Sequence, residues 1–224
     1  MKSTRLTVNE RAPTEMVDLE RRAAPQQKRS QARIAQIVAA TKSLLERDEI
    51  DSITTTTVAA EAGVPVSSVY RYFPNIYSIH RTILEEFKIE TDRIVSRILE
   101  DPEEQDWEAS LSSMIFGLRE LVANNPSYGA VFRLTLMTHE LRAVRQAWNL
   151  RLAGVLATRW RGGLDGFHGG NPEIVARMAV EIYCSAEILI FEARDNPEEG
   201  EAYFTEALMA LQRYLAPYLA PQTD

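Results

Sequence analysis

One stretch of the sequence, residues 54–75, concentrates side chains that can bond a polyanion. It reads Thr-Thr-Thr-Thr-Val-Ala-Ala-Glu-Ala-Gly-Val-Pro-Val-Ser-Ser-Val-Tyr-Arg-Tyr-Phe-Pro-Asn, with two serines, two tyrosines and one arginine in residues 67–72. Hydroxyls and a guanidinium bond phosphates and base edges, and small side chains let a helix approach those edges closely. The composition favours a nucleic-acid surface, although an αα-hairpin inside a helical bundle would share it.

Two short helices joined by a tight turn are expected to position these side chains. Thr54 is a suitable N-cap for the first helix. Gly63 stands where the helix end needs a left-handed residue, and Pro65 falls at the first turn of the second helix. Val69 and Phe73 lie four residues apart and should anchor the second helix in the core.

The run Ile53–Val58 also has high β propensity, which makes a strand the competing interpretation. A single strand without partner runs nearby would be unstable, because a sheet needs several strands. We therefore favour the helix–turn–helix.

The rest of the chain predicts an all-α protein of about nine helices, with a three-helix head at the N-terminus and a helical body after it. Apolar stripes at helical spacing are separated by Pro, Gly and Asn. Besides the two short helices, the expected helices cover residues 30–47, 75–100, 107–123, 128–137, 138–160, 172–194 and 198–218.

Composition limits the class of protein. The 224 residues are 45% apolar and 25% charged, which excludes wholesale disorder. The single cysteine, Cys184, cannot form an internal disulfide, and no apolar run is long enough to span a bilayer. These features predict a cytoplasmic protein without a membrane partner.

The net charge of −7 conceals an asymmetry between the two ends of the chain. Residues 1–81 contain 12 Lys and Arg against 9 Asp and Glu, whereas residues 82–224 contain 13 against 23. Residues 1–27 are expected to form a flexible basic arm that includes Arg21 and Arg22. A basic head on an acidic body suggests that only the head meets a polyanion, although a solvated charged face would give the same statistics.

Groups that would support catalysis or metal binding are scattered. His80, His139 and His168 lack metal-ligand spacing, and no serine lies in a nucleophile elbow. Neither an enzyme nor a bound cofactor is predicted.

The motif Glu-Ala-Gly-Val, followed by a small-residue turn and Val-Tyr-Arg-Tyr-Phe-Pro-Asn, resembles the DNA-binding signature of TetR-family transcriptional regulators. The resemblance covers about residues 30–80. It implies a homodimer with a DNA-binding domain at 28–75 and an effector-binding and dimerisation domain at 76–220. It also implies binding to a palindromic double-stranded DNA operator and to a small effector, which the apolar body suggests is largely apolar.

The resemblance assigns roles to individual residues of the head. Thr54 falls where the family caps the second helix and contacts phosphate, and Tyr72 falls where a side chain bonds the DNA backbone. The residues expected to contact DNA are Thr54, Thr55, Val66, Ser67, Ser68, Tyr70, Arg71 and Tyr72.

Three positions depart from the family's pattern. A polar residue is common where Val66 stands, and an acidic residue is common where Thr57 stands, so we expect a weakened capping box. A phosphate-binding lysine is common where Ile76 stands. The basic arm is expected to supply the missing positive charge.

The apolar stripes of the body contain candidate residues for contact with the effector. Residues in such stripes usually pack in the hydrophobic core and contact no ligand. The candidates are Phe87, Met114, Leu118, Phe132, Met137, Trp148 and Tyr183. Four polar groups in the same helices, those of Arg119, Arg133, His139 and Glu181, are further candidates for orienting a ligand.

The last two helices carry apolar residues on more than one face, and a surplus stripe needs a partner. We therefore expect a dimer interface that contains Ile182, Leu189, Phe204, Leu208, Leu211 and Leu215. The sequence thus predicts a repressor that a small molecule releases from a palindromic operator. The alternative is an architectural or cell-division DNA-binding protein of the same fold without an effector.

Overall fold

The computed structural model describes residues 28–99 and 106–219, in which the chain forms nine α-helices and no strand. The all-α prediction and the number of helices are confirmed. The helices are α1 Lys28–Arg47, α2 Thr55–Glu61, α3 Val66–Tyr72, α4 Ile76–Leu99, α5 Trp107–Ala123, α6 Pro126–Met137, α7 His139–Arg161, α8 Pro172–Glu192 and α9 Pro197–Leu215. The expected basic arm at 1–27 lies outside the described residues. None of the described helices is long and apolar enough to cross a membrane.

A capping box starts α2, so the strand interpretation of residues 53–58 is wrong. The Thr57 backbone N–H donates to Thr54 Oγ1 at 3.2 Å, and the Thr54 backbone N–H donates to Thr57 Oγ1 at 2.8 Å. The expectation that Thr57 weakens this box is corrected, because its hydroxyl accepts the hydrogen bond that an acidic side chain would accept.

A left-handed glycine ends α2 and sets the direction of α3. Gly63 has a φ of 62°, and its N–H donates to the Ala60 carbonyl at 3.1 Å. The N–H of Val64 donates to the Ala59 carbonyl at 3.0 Å. This pair of bonds is the Schellman arrangement, which satisfies the last carbonyls of the helix and reverses the chain.

Replacing Gly63 with alanine should lower the free energy of unfolding by about 1–2 kcal/mol. No atom lies within 4 Å of the added Cβ, so the effect comes from backbone strain alone. Gly154→Ala is the matched control: Gly154 lies inside α7, is exposed and also has open space around a Cβ. There alanine should stabilise by about 0.5–1 kcal/mol. Urea unfolding measures both, and equal effects at the two glycines would contradict the assignment.

Side chains fix the helix–turn–helix against α1. The Gln36 amide donates to the Ala62 carbonyl at 2.6 Å, at the end of α2. Arg47 donates to both carboxylate oxygens of Glu61 at 3.1 and 2.8 Å. Asn75 caps α4, as predicted, by accepting the Ser78 N–H at 2.9 Å. The first two contacts fix the end of α2 against α1, and the turn at Gly63 joins that end to α3.

The head and the body share one hydrophobic cluster. It runs from α1 through Val69 and Phe73 to Phe87, Tyr128 and Trp148 on α4, α6 and α7. Helix α6 also packs directly against α1. A second cluster joins α5, α7, α8 and α9. Because the head packs on α6 as well as continuing into α4, a change in the body has two routes to the head.

Candidate functional site

Helix α3 presents a polar face to solvent and an apolar face to the core. Ser67, Tyr70 and Arg71 are exposed, whereas Val69 and Phe73 are fully buried. This division follows the helical period and matches the one expected from the sequence. The exposed face offers two hydroxyls and one guanidinium, which can bond phosphates and base edges.

Two of the residues expected to contact DNA are largely buried. Thr55 is 8% exposed, and its hydroxyl donates to the Tyr70 hydroxyl at 2.9 Å. Tyr72 is 9% exposed and belongs to the cluster of the head. The Arg71 guanidinium lies 6.0 Å from the centre of the Tyr72 ring. The Thr55 hydroxyl therefore holds the Tyr70 hydroxyl by a hydrogen bond, and the Tyr72 ring lies beside the Arg71 guanidinium.

The remaining predicted DNA contacts lie at the edges of this face. Thr54 is exposed and Ser68 is half-buried. Val66 and Ile76, two of the departures from the family pattern, are partly buried and pack against the core of the head. Apolar side chains at these positions therefore join α3 and the start of α4 to the core.

The body contains two adjoining cavities. The inner cavity, of about 100 Å³, lies among α4, α5, α7, α8 and α9, and the outer cavity, of about 390 Å³, lies among α4, α5, α6, α8 and α9. Phe87, Tyr183 and Glu187 line both. A ligand that reaches past these three side chains would occupy both cavities.

Most of the candidate ligand residues line these cavities. Met114, Leu118 and Trp148 line the inner cavity, Phe132 lines the outer one, and Phe87 and Tyr183 line both. Met137 is 69% exposed at the end of α6 and lines neither.

The polar candidates divide in the same way. Arg119 and Arg133 line the outer cavity. His139 is exposed at the start of α7 and lines neither cavity, and Glu181 pairs with Arg145 and Arg177 instead. Of these four candidates, Arg119 and Arg133 are therefore the two that can orient a ligand in a cavity.

Glu187 lines both cavities and is not among the residues expected from the sequence. Burial raises the pKa of this carboxyl to about 7, and a hydrogen bond from Tyr183 partly opposes the shift. The signal in the sequence was a single acid within the apolar run 186–191. Periodicity alone could not show that this position of α8 faces a cavity.

Replacing Glu187 with glutamine should raise the free energy of unfolding at pH 8. The folded pKa lies above the unfolded value, so wild-type stability falls as the pH rises from about 4.5 to about 7 and stays low above that. Glutamine keeps the acceptor for Tyr183 without the charge, so we expect a gain of about 1–3 kcal/mol at pH 8 and little gain at pH 4.

The matched control for this substitution is Glu181→Gln on the same helix. Glu181 is paired with Arg177 at 2.5 Å, so glutamine there should stabilise at neither pH. Urea unfolding at both pH values makes the comparison. Equal stability of Glu187→Gln and the wild type at pH 8 would contradict the assignment.

The structure changes the expected dimer interface. Phe204, Leu211 and Leu215 are 3%, 1% and 4% exposed, buried in the subunit's own second cluster. These three side chains therefore belong to the subunit's own core. Ile182 and Leu208 are partly buried in the same cluster, whereas Leu189 is 45% exposed.

Helix α8 carries the exposed apolar residues instead. Ile174, Met178 and Leu189 are 63%, 46% and 45% exposed. Their positions recur at helical spacing, which aligns them along one side of α8. This stripe is a candidate contact surface in place of the three buried residues of α9.

The described residues also include one thiol and several possible metal ligands. Cys184 is buried, and burial raises the pKa of its thiol well above the ordinary value. Across residues 28–99 and 106–219, no three His, Cys, Asp or Glu side chains are grouped so that they could hold a metal ion.

Comparison with known proteins identifies the head. Residues 37–80 match the family model described as "Bacterial regulatory proteins, tetR family". No curated protein sequence matches the chain closely.

Solved structures extend the likeness to the body. SmeT, the repressor of the Stenotrophomonas maltophilia multidrug efflux pump SmeDEF, superposes with a TM-score of 0.66 at 21% identity, over 87% of this chain and 96% of that chain. A SmeT–triclosan complex gives 0.65 at 20% identity, over 86% and 96%. A TetR-family regulator from Streptomyces coelicolor gives 0.61 at 23% identity, over 84% and 99%. The chain thus carries the N-terminal domain of the tetR family of bacterial regulatory proteins, on the all-helical fold of that family's regulators.

Proposed function

We propose that this protein is a transcriptional repressor that binds a palindromic operator as a homodimer and is released by a small, largely apolar effector. The observation that carries the proposal is the shared core, in which the helix–turn–helix packs on the helices that wall the two cavities. The SmeT–triclosan complex supports a small-molecule ligand on this fold.

For DNA contact, the proposal assigns the direct roles to the exposed face of the head. Arg71, Tyr70 and Ser67 would meet base edges, with Ser68 and Val66 beside them and Thr54 at phosphate. Thr55 would act through its hydrogen bond to Tyr70. The phosphate contact stays assigned to Tyr72, which is 9% exposed.

A chain of contacts would transmit the effector signal. The Phe87 ring, which lines both cavities, lies 5.1 Å from the Tyr128 ring on α6. Lys42 of α1 lies 4.9 Å from the centre of the Tyr128 ring and bonds Glu86 of α4 at 2.6 Å. A ligand that displaces Phe87 would therefore shift Tyr128 and α6, and with them α1 of the head.

Dimerisation through α8 would cover its exposed apolar stripe. An isologous contact between two copies of the stripe closes the assembly. It would also set the two α3 helices about 34–36 Å apart, or a multiple of this, on one face of the DNA. Two half-sites in opposite orientation follow from this symmetry.

The alternative is an architectural DNA-binding protein of the same fold without an effector. The cavity of about 390 Å³ favours the effector-controlled form, because small-molecule sites are typically about 300–1,000 Å³.

The experiment that tests the proposal has two stages. DNA bound by the wild-type protein is first selected from a random pool, and a small-molecule library is then screened for release of the recovered site. A recovered palindrome that at least one compound releases supports the proposal. Binding that no compound changes would favour the architectural alternative, and failure to enrich any sequence would exclude both.

A further inference from the structure

The wall of the outer cavity carries three arginines, and two of them have no hydrogen-bonded acid among the described residues. Arg119 is bonded to the Glu201 carboxylate, which offsets its charge. Arg133 forms no ion pair with a described residue. Arg194 lies 4.0 Å from the Asp195 carboxylate, which is too far for a hydrogen bond. The outer wall therefore has two positive charges to which no acid is bonded.

Both of these guanidinium groups lie beside the same aromatic ring. The Cζ atom of Arg133 is 5.6 Å from the centre of the Phe191 ring, and the Cζ atom of Arg194 is 5.1 Å from it. Phe191 lines the outer cavity and packs so close to the α6 backbone that a Cβ added at Gly129 would be 2.3 Å from its ring. One arginine from α6 and one from the end of α8 are thus brought to the same part of the wall.

The donor atoms of the two arginines are accessible. Arg133 Nε is buried, but its two terminal Nη atoms keep accessible surface and donate to no described residue. The Arg194 side chain is 51% exposed. A guanidinium presents its N–H groups as a planar fork that fits a carboxylate. Two such forks at one place favour an anion as the bound group.

The acidic residues of the two cavities do not cancel these charges. Three arginines against the carboxylates of Glu187 and Glu201 leave the outer wall positive even when both acids are ionised. Glu187 has a pKa of about 7, so part of this carboxyl is neutral at pH 7. On the inner wall, Asp165 is engaged by Arg159 through two bonds of 2.7 Å. A ligand that enters the outer cavity therefore meets an excess of positive charge.

We propose that the effector is a small organic anion, an apolar body with one carboxylate, and that Arg133 and Arg194 bind this carboxylate beside Phe191. The apolar body would lie against Phe132 and Ile188 in the cavity of about 390 Å³. Because Arg133 lies on α6, which packs on α1, the carboxylate would bind to a helix that reaches the head. The assignment rests on the proposed effector role of the cavities and adds the class of ligand.

Three probes that share one diphenyl skeleton test the charge preference. Diphenylacetate is an anion at pH 7, diphenylacetamide is its neutral counterpart of nearly the same shape, and diphenylethylamine is a cation. Their binding to the full-length wild-type protein is measured by calorimetry at pH 7, without DNA. A hydrogen bond to a charged group is stronger than one between neutral groups, so diphenylacetate should bind about tenfold or more tightly than the amide. The amine should bind more weakly than either.

Two variants locate the carboxylate. Arg133→Gln and Arg194→Gln should each lower the preference for diphenylacetate over the amide by about fivefold or more. Both should keep the wild-type affinity for the amide, which would show that the cavity is intact. Arg142→Gln is the matched control, because it removes one positive charge at an exposed position of α7 that lines neither cavity. That variant should keep the wild-type preference.

Several results would overturn the proposal: no binding of diphenylacetate, equal affinity for the anion and the amide, or an equal loss of preference in Arg142→Gln. A parallel loss of both probes in Arg133→Gln and Arg194→Gln would also overturn it, because these side chains would then only shape the cavity. So would tighter binding of the amine, and its loss in Glu187→Gln would assign a cation to Glu187.

Because the measurement uses no DNA, it is independent of operator binding. A protein that prefers diphenylacetate but whose DNA binding no compound changes would refute the proposed function alone. Release of the operator by neutral compounds, in a protein without preference for the anion, would refute the carboxylate site alone.

Discussion

Replacing Met178 and Leu189 together with glutamate should convert the proposed dimer into a folded monomer that binds the proposed operator at least about a hundredfold more weakly. Both side chains are about half exposed in the subunit, so glutamate at these positions leaves the subunit's own core intact. In the dimer the same positions would place like charges within an apolar contact. Loss of the second half-site removes an intramolecular binding step that typically adds about 10²–10⁴ to the avidity.

Sedimentation velocity and a DNA-binding titration measure the two consequences. Ile89→Glu is the matched control, because Ile89 is 50% exposed on α4 and lies off the proposed interface. That variant should stay dimeric and bind DNA normally. A double variant that remains dimeric with wild-type affinity would contradict the assignment of α8 to the interface.

Replacing Arg71 with alanine should weaken binding to the cognate site by about tenfold to a hundredfold. Its guanidinium is exposed on α3 and packs near the Tyr72 ring at 6.0 Å, which limits the orientations it adopts before binding. A side chain that bonds a base edge typically carries about 1–3 kcal/mol of discrimination, which corresponds to this range of affinity. Binding to scrambled DNA should fall much less.

The control for Arg71 must remove the same charge elsewhere. Arg142→Ala removes one positive charge at an exposed position of α7. At physiological salt the electrostatic effect of that charge decays over about 8 Å. Fluorescence anisotropy with cognate and scrambled duplexes measures all four affinities. Equal losses for the two duplexes would indicate that Arg71 contacts phosphate and does not read a base.

The head was predictable from sequence because local rules determine most of it. The cap at Thr54, the left-handed turn at Gly63 and the buried pair Val69 and Phe73 each depend on residues within a few positions. Two local details differed: Pro65 is the N-cap of α3 and not a residue of its first turn, and Thr57 completes the capping box. Acidic residues are common in the family where Thr57 stands. That pattern does not reveal that the Thr57 hydroxyl can accept the same hydrogen bond from the Thr54 N–H.

The body was predicted as helices, but its buried faces required the tertiary structure. Leu215 and Leu189 are both leucines on stripes at helical spacing, yet one is buried in its own core and the other is exposed. Met137 and Met114 differ in the same way, since one is exposed and the other lines the inner cavity. Amphipathic periodicity shows that a face is apolar and does not show what covers it.

Glu187 shows the same limit for polar groups. A single acid in an apolar helix predicts either a solvated position or a buried functional one. Only the packing of α8 against α6, α7 and α9 around the cavities distinguishes them. Helices that are far apart in sequence therefore determine together which polar groups line the cavities.

The most direct test of the central claim is an equilibrium titration of the wild-type protein with three duplexes at one fixed salt concentration. These are the palindrome recovered by selection, the same duplex with one half-site scrambled, and a fully scrambled duplex. We expect one dimer to bind the palindrome about 10³-fold or more tightly than the scrambled duplex, with an intermediate affinity for the half-site duplex. Equal affinity for all three duplexes would contradict the account.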